Sequence, residues 1–146
     1  ELSYVTNGSV VDQNRETTIS GVFSCGNVLH VHDLVDYVSE EAEIAGKGAA
    51  EYIKGINEKS VSINVTVDGK IRYTVPQVIT EKKDVTVYLR VNNVYKNVRI
   101  NVYDNDRLVL SKKKLKVAPA EMEAVKLSTS MLENVTALKF VLEEEK

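Results

Sequence analysis

The chain has 146 residues, of which 43% are hydrophobic and 27% charged, a balance typical of a folded domain. A formal net charge of −2 gives no electrostatic drive toward nucleic acid, so we expect no nucleic-acid partner. No apolar run is long enough to predict a membrane span, and the first residues do not resemble a secretion signal, so we expect a cytoplasmic protein. The single cysteine, Cys25, excludes an intrachain disulfide and any two-cysteine redox or zinc motif.

Charge is distributed unevenly along the chain and indicates two parts. Residues 1–57 hold three basic and nine acidic side chains, whereas residues 58–146 hold sixteen basic and twelve acidic ones. We therefore predict a first unit over residues 1–57, a boundary near Gly55 to Ser60, and a second unit over residues 60–146.

The first part carries a motif around a short apolar segment. Thr17 to Asn27 reads Thr-Thr-Ile-Ser-Gly-Val-Phe-Ser-Cys-Gly-Asn, and a predicted helix farther along contains Ala45 to Ala50. Together these segments resemble the last FAD-contacting region of the pyridine nucleotide-disulfide oxidoreductase superfamily, which includes thioredoxin reductase and NADH oxidase. The resemblance extends through Ile53 and covers about a third of the chain.

That resemblance implies a strand at Val22 to Cys25 and a set of FAD-contacting residues. Gly26 would let the cofactor approach the backbone, because glycine has no side chain. Asn27 occupies a position where the family usually has Asp, so its amide can form hydrogen bonds but supplies no negative charge. Tyr37, Val38 and Ser39 match the positions whose backbone amides lie near the flavin in the family. No catalytic residue is predicted in this chain.

The predicted helix begins after Asp33 or Asp36, each a suitable N-cap, and ends at Gly55. Its apolar and small residues recur every three or four positions and predict one buried face, formed by Val35, Val38, Ala42, Ala45 and Ala49. Gly46 and Gly48 disfavour a helix, so close packing is the expected reason for both.

The two histidines and the cysteine leave alternatives open. His30 and His32 could ligate a metal, but two imidazoles and the adjacent Asp33 are a narrow ligand set, and we predict no metal. A role beside the flavin and a purely structural role are the other interpretations. For Cys25, a small buried hydrophobic residue is favoured over a reactive thiol.

The second part alternates apolar and polar residues at the two-residue period of a strand. Seven such segments are found, starting at Val61, Ile71, Val85, Val98, Leu108, Met122 and Ala137. Asp68-Gly69 predicts a hairpin between the first two, and Pro76 marks a strand end. Lys112 to Lys114 is interpreted as a solvated edge strand rather than an acidic-partner site.

These features predict a mainly β fold, in which an immunoglobulin or fibronectin III-like antiparallel β-sandwich follows a strand-helix remnant of an α/β FAD-binding domain. The chain contains no glycine-rich Gly-x-Gly-x-x-Gly turn for the FAD pyrophosphate or for NAD(P)H. We therefore expect the C-terminal fragment of a longer FAD-dependent NAD(P)H oxidoreductase, with residue 1 a truncation point, that is inert by itself and carries no FAD.

The expected partners are the rest of the parent protein's FAD and NAD(P) domains and, for the fragment, a second copy bound through the helix at residues 35–53. The alternative function is a free-standing β-sandwich interaction module without catalytic activity.

Overall fold

A computed structural model describes residues 1–145 as a mainly β protein with one long helix. The helix α1 spans Val35–Lys54, and 3₁₀ turns lie at Gly26–Val28 and Thr129–Leu132. The strands are β1 Ile63–Val67, β2 Ile71–Val75, β3 Val78–Ile79, β4 Val85–Val91, β5 Tyr95–Asp104, β6 Arg107–Val117, β7 Glu123–Leu127 and β8 Ala137–Glu144. Across residues 1–145, no helix combines the length and apolar character needed to cross a membrane.

The strands form two sheets, one of five strands in the order β3-β1-β8-β5-β6 and one of three in the order β2-β4-β7. The prediction of a mainly β fold rich in antiparallel pairs is confirmed. One neighbouring pair departs from it, because β1 runs parallel to β8, with Val65 opposite Leu138. A parallel pair joins strands that are distant in sequence, which local alternation does not reveal.

The main apolar core belongs to the strand-rich part of the chain alone. Its buried residues all lie between Ile63 and Leu142, and they include Leu89, Ile100 and Phe140, none of them measurably exposed. Alternate residues of the strands supply these side chains, as the two-residue period predicts. We call residues 60–145 the sandwich and residues 1–57 the arm.

The Asp68-Gly69 turn forms, but it does not close a hairpin. The backbone N–H of Ile71 donates to the carbonyl of Asp68 at 3.2 Å, and the Asp68 carboxylate also accepts from it. However, β1 pairs with β3 and β8, whereas β2 pairs with β4 in the other sheet. The predicted hairpin is therefore wrong, because a turn motif specifies a local reversal and not which strands pair afterwards.

The ends of α1 follow the prediction only in part. Gly55 ends the helix in the left-handed conformation, with φ of 67°. At the other end the N-cap is Leu34, which provides no side-chain cap, so neither predicted aspartate caps the helix. Asp33 is engaged elsewhere, since its carboxylate accepts from Arg90 at 3.2 Å and from the backbone N–H of Met122 at 3.2 Å.

The face that α1 buries differs from the predicted apolar stripe. Its buried residues are Glu41, Ala45 and Gly48, and only Ala45 belongs to the predicted set. Gly48 has the expected packing reason, because a Cβ there would lie 2.6 Å from the carbonyl oxygen of Asn14. Gly46 does not, since no atom lies within 4 Å of a Cβ at that position. Val35 and Ala42 are exposed, whereas Val38 and Ala49 are half-buried, so the predicted stripe is buried only in part.

The segment before α1 is irregular, and the strand predicted at Val22 to Cys25 is absent from it. Among residues 1–145, Phe23 forms one bridge, to Glu16, and Val22 is 47% exposed. Side-chain hydrogen bonds attach this segment to the sandwich instead, for example from Asn14 to Glu81 at 2.7 Å. Backbone hydrogen bonds join residues 15–17 to residues 22–24, but this pairing spans a single bridge and is too short to form a strand.

The lysine run lies on β6, which is an edge strand of the larger sheet as predicted. The ammonium of Lys112 donates to the carbonyl of Ala124 at 2.8 Å, and Lys114 pairs with Glu123 at 2.7 Å. Both lysines therefore reach β7 in the other sheet and connect the two sheets along this edge. The charges also oppose edge-to-edge association.

Candidate functional site

A buried ionic cluster lies between the arm and the smaller sheet. Glu41 of α1 is at its centre, and each of the two oxygens of its carboxylate accepts two hydrogen bonds. Oε1 accepts from Arg15 Nε at 3.1 Å and from His30 Nε2 at 3.0 Å. Oε2 accepts from His32 Nε2 at 2.8 Å and from the backbone N–H of Gly26 at 2.8 Å. We call Arg15, His30, His32 and Glu41 the Glu41 cluster; each of their side chains is at most 2% exposed.

The electrostatics of the cluster follow from its burial. Burial opposes ionisation of Glu41, but hydrogen bonds from His30 and His32, the positive charge of Arg15 and, once that ring is protonated in acid, the charge of His30 outweigh burial and lower the pKa of Glu41 to about 2. Burial also lowers the pKa of His30, and Glu41 offsets this only in part. At neutral pH the cluster therefore contains a Glu41–Arg15 ion pair that accepts hydrogen bonds from a neutral His30.

The hydrogen bonds continue from the cluster into the smaller sheet. Since His30 donates through Nε2, its Nδ1 accepts from the Tyr73 hydroxyl at 3.4 Å. That hydroxyl in turn accepts from Arg90 Nε at 3.1 Å. Burial raises the pKa of Tyr73, so the hydroxyl stays protonated at neutral pH. Through these contacts, the arm and β2 and β4 hold the His30 ring in one orientation.

Metal binding is the obvious alternative for this cluster. His30, His32 and Glu41 place three potential ligand atoms within 4.8 Å of one another. A metal ion would have to displace the imidazole protons that now bind Glu41, and it would lie close to the buried guanidinium of Arg15. The donor set is better explained as a hydrogen-bonded ion cluster, and the prediction of no metal is retained.

Gly26 and Asn27 lie in the 3₁₀ turn that the cluster fixes. Gly26 has φ of 74°, a conformation that favours glycine, and a Cβ there would meet only Val38 Cγ1, at 3.8 Å. Asn27 is exposed, and its Oδ1 accepts from the backbone N–H of His32 at 3.2 Å. The turn therefore keeps the Asn27 side chain at the surface while the Gly26 amide is already used by Glu41.

The start of α1 lies beside this turn. Its uncapped first turn leaves the amides of residues 34–37 without helical partners, because helical hydrogen bonds begin at the fifth group. Tyr37 is among them, whereas the amides of Val38 and Ser39 belong to the helical hydrogen-bond pattern. The Tyr37 ring packs edge-on against Tyr88, with centroids 5.8 Å apart. The site can thus offer one of the three predicted amides together with the Asn27 side chain to an electron-rich oxygen.

Exposed apolar side chains flank the turn and the helix start. Val28 is 74% exposed and Val31 67%, and Leu34 and Val35 follow at 54% and 80%. Such a concentration is typical of a surface that another protein surface covers. Cys25, predicted to be buried, is only partly so, and it is a free thiol.

The sequence did not reveal the two residues that organise the site. Arg15 and Glu41 were not selected, because each looks like an ordinary surface charge in its local context. One signal was available, since Glu41 lies one helical turn before Ala45, on the face that the structure buries. The buried charge of Arg15 depends on contacts across the fold, and nothing in its sequence neighbours indicates it.

No protein-family model matches this chain, and comparisons with curated proteins and with solved structures find no significant match. The function is therefore argued from the residues and their geometry.

Proposed function

We propose that this chain is the C-terminal part of an FAD-dependent NAD(P)H oxidoreductase of the pyridine nucleotide-disulfide superfamily, and that its arm completes the FAD site. One observation carries the proposal. The Glu41 cluster ties the Gly26 turn to α1, so the two segments that the resemblance assigns to flavin contact lie side by side, with Gly26 buried and Asn27 and Ser39 exposed.

The residues of this edge would hold the cofactor in different ways. Gly26 would allow close approach of the backbone, and the Asn27 amide would donate to a cofactor oxygen. The free amide of Tyr37 would face the electron-rich edge of the flavin at the positive end of the helix dipole. Val38 and Ser39 would contact it through their side chains. When bound, FAD would supply the hydride-transfer chemistry between NAD(P)H and an acceptor.

The exposed apolar residues around this edge support a covering partner. In the parent protein that partner would be the sheet of the FAD domain, together with the NAD(P) domain that delivers hydride. In the isolated chain, the exposed residues of α1, which include Val35 and Ala42, would pack against a second copy of the chain. The homodimer would then form through the helix at residues 35–53 of each copy. We place the protein in the cytoplasm, consistent with its single free cysteine.

The second candidate function is a free-standing interaction module without catalytic activity. It is favoured by the self-contained core of the sandwich, whose buried apolar residues all come from residues 60–145. We infer an immunoglobulin or fibronectin III-like arrangement for this unit, because two sheets rich in antiparallel pairs pack face to face around that core. In this alternative the exposed apolar edge of the arm would be the surface that a protein partner covers.

The test uses the natural full-length protein, expressed from the complete coding sequence. We expect bound flavin in that protein, seen by its absorbance, and none in the isolated chain, which lacks a pyrophosphate-binding turn. In the full-length protein, Asn27→Ala should weaken FAD binding by about 1–3 kcal/mol, because a cofactor oxygen loses its donor. Asn93→Ala on the β4–β5 connection is the matched control and should have no effect. A full-length protein that binds no flavin would refute the proposal.

A further inference from the structure

A cavity of about 530 Å³ opens between the arm and the smaller sheet, beside the Glu41 cluster. Its wall includes Val31 and His32 from the arm, Arg72 and Tyr73 from β2, and Arg90 from β4. The volume lies in the range of small-molecule sites, and several polar groups converge on it. The cavity is formed entirely within this chain, so its use does not depend on the cofactor role of the arm.

The two arginines of the cavity have different roles. Arg90 is part of the wall, because its guanidinium donates to the carbonyls of Val31 at 2.8 Å and Pro119 at 3.0 Å, and it pairs with Asp33 at 3.2 Å. Arg72 is exposed, and among residues 1–145 it has neither an ion pair nor a side-chain hydrogen bond. The positive charge of Arg72 is therefore available for an anion, and a guanidinium binds carboxylates in a two-pronged geometry.

His32 adds a requirement of its own. With Nε2 donating to the Glu41 carboxylate, the neutral imidazole has Nδ1 as its hydrogen-bond acceptor. That Nδ1 is buried and has no hydrogen-bond partner among the described residues, and the side chain is 2% exposed. An unpaired buried acceptor is unfavourable, so a ligand that donates a hydrogen bond to it would gain affinity. A hydroxyl can donate this hydrogen bond while a carboxylate of the same ligand binds Arg72.

We propose that this cavity binds a small hydroxycarboxylate, with the carboxylate on Arg72 and the hydroxyl directed toward His32 Nδ1. The Tyr73 hydroxyl cannot replace His32 in this role, because it donates to His30 and accepts from Arg90. Discrimination should therefore depend on both ligand groups, the negative charge and the hydrogen-bond donor.

The experiment is a titration of the isotope-labelled chain, followed by NMR, with three matched probes. L-Lactate carries both groups, propionate lacks the hydroxyl, and lactamide lacks the charge. We expect saturable shifts of the Val31, Asp33 and Ala120 amides with L-lactate, and binding weaker by about fivefold or more for each of the other two probes.

Two variants locate the site. Arg72→Gln removes the free cation from an exposed position and should weaken L-lactate binding by about tenfold. Arg99→Gln, on β5 in the other sheet, is the matched control and should leave the affinity unchanged. Shifts that do not saturate, equal affinity for propionate, or unchanged affinity in Arg72→Gln would each overturn the proposal. The titration contains no flavin, so its result does not decide the proposed cofactor role.

Discussion

The arm and the sandwich are stabilised in opposite ways. The sandwich buries a continuous set of aliphatic and aromatic side chains between its sheets, whereas the arm buries charge. Arg15, His30 and Glu41 are almost completely enclosed, and the arm contributes only Val11 and Leu29 to a small apolar cluster with Val75. Of the fifteen large apolar side chains that are exposed in residues 1–145, twelve belong to the arm.

This contrast has a physical meaning. The sandwich places its apolar groups inside, as folded domains do. The arm instead presents apolar groups to solvent and depends on a buried ion cluster for its shape. Buried ion pairs contribute little net stability but fix geometry, so the cluster is suited to holding an edge in position for a partner. The following predictions test that contrast.

The largest effect should come from removing the charge of Glu41. Glu41→Gln leaves the Arg15 guanidinium buried without an anion, and we expect a loss on the order of 3–5 kcal/mol in the free energy of unfolding. Urea denaturation followed by circular dichroism measures it. Glu43→Gln is the control on the same helix, because the Glu43 ion pair with Lys47 is exposed, and it should be neutral. Equal stability of both variants would show that the cluster does not organise the arm.

Acid should weaken the arm in two stages. Burial lowers the pKa of folded His30 below 6.5, so as pH falls below about 6.5 the unfolded chain takes up a proton that the folded chain resists, and stability declines. Glu41 titrates at about 2 when folded and 4.5 when unfolded, so roughly 3 kcal/mol present above pH 4.5 is lost as pH falls toward 2.

Denaturation at a series of pH values measures both stages. His30→Gln should remove the contribution of His30 to the first stage and keep the second. A stability profile that is flat between pH 7 and 3 would contradict the buried assignment of both groups.

The two faces of α1 should respond differently to a new charge. Ala45→Glu places a carboxylate in the buried face and should cost about 2 kcal/mol or more of unfolding free energy. Ala42→Glu lies on the exposed stripe, so it should leave monomer stability unchanged and abolish the proposed homodimer. Light scattering at micromolar concentration measures the second effect. A wild-type chain that is already monomeric would remove the homodimer from the proposal.

The smallest effects concern the two helical glycines. Gly48→Ala should destabilise the chain by roughly 1–3 kcal/mol, because the new methyl group would overlap the backbone of Asn14. Gly46→Ala has open space and should stabilise by about 0.5–1 kcal/mol through helix propensity. Thermal unfolding measures the melting temperature of both variants. A shift of the same sign in both would contradict the packing of Gly48 against Asn14.

Much of the secondary structure could be predicted, because its signals are local. Alternation located seven of the eight strands, as for Val85–Val91, but not the two-residue β3, which is too short to alternate; the left-handed residue Gly55 ends α1 where expected. The N-cap of α1 was predicted wrongly. Asp33 does not cap the helix, because its carboxylate accepts hydrogen bonds from Arg90 and Met122. The site was predicted least well, because Arg15 and Glu41 lie 26 positions apart in sequence and no short pattern links them.

The amino-acid sequence by itself determined where the chain turns and which residues of each strand face inward, since these depend on the conformational preferences of neighbours. Only the tertiary structure decided that β1 pairs with β8 rather than with β2, and that α1 buries Glu41 and Gly48 beside Ala45 while Val35 and Ala42 stay exposed. Both outcomes depend on partners distant in sequence. The burial of a charge such as Glu41 becomes favourable only when Arg15, His30 and His32 converge on it from other parts of the chain.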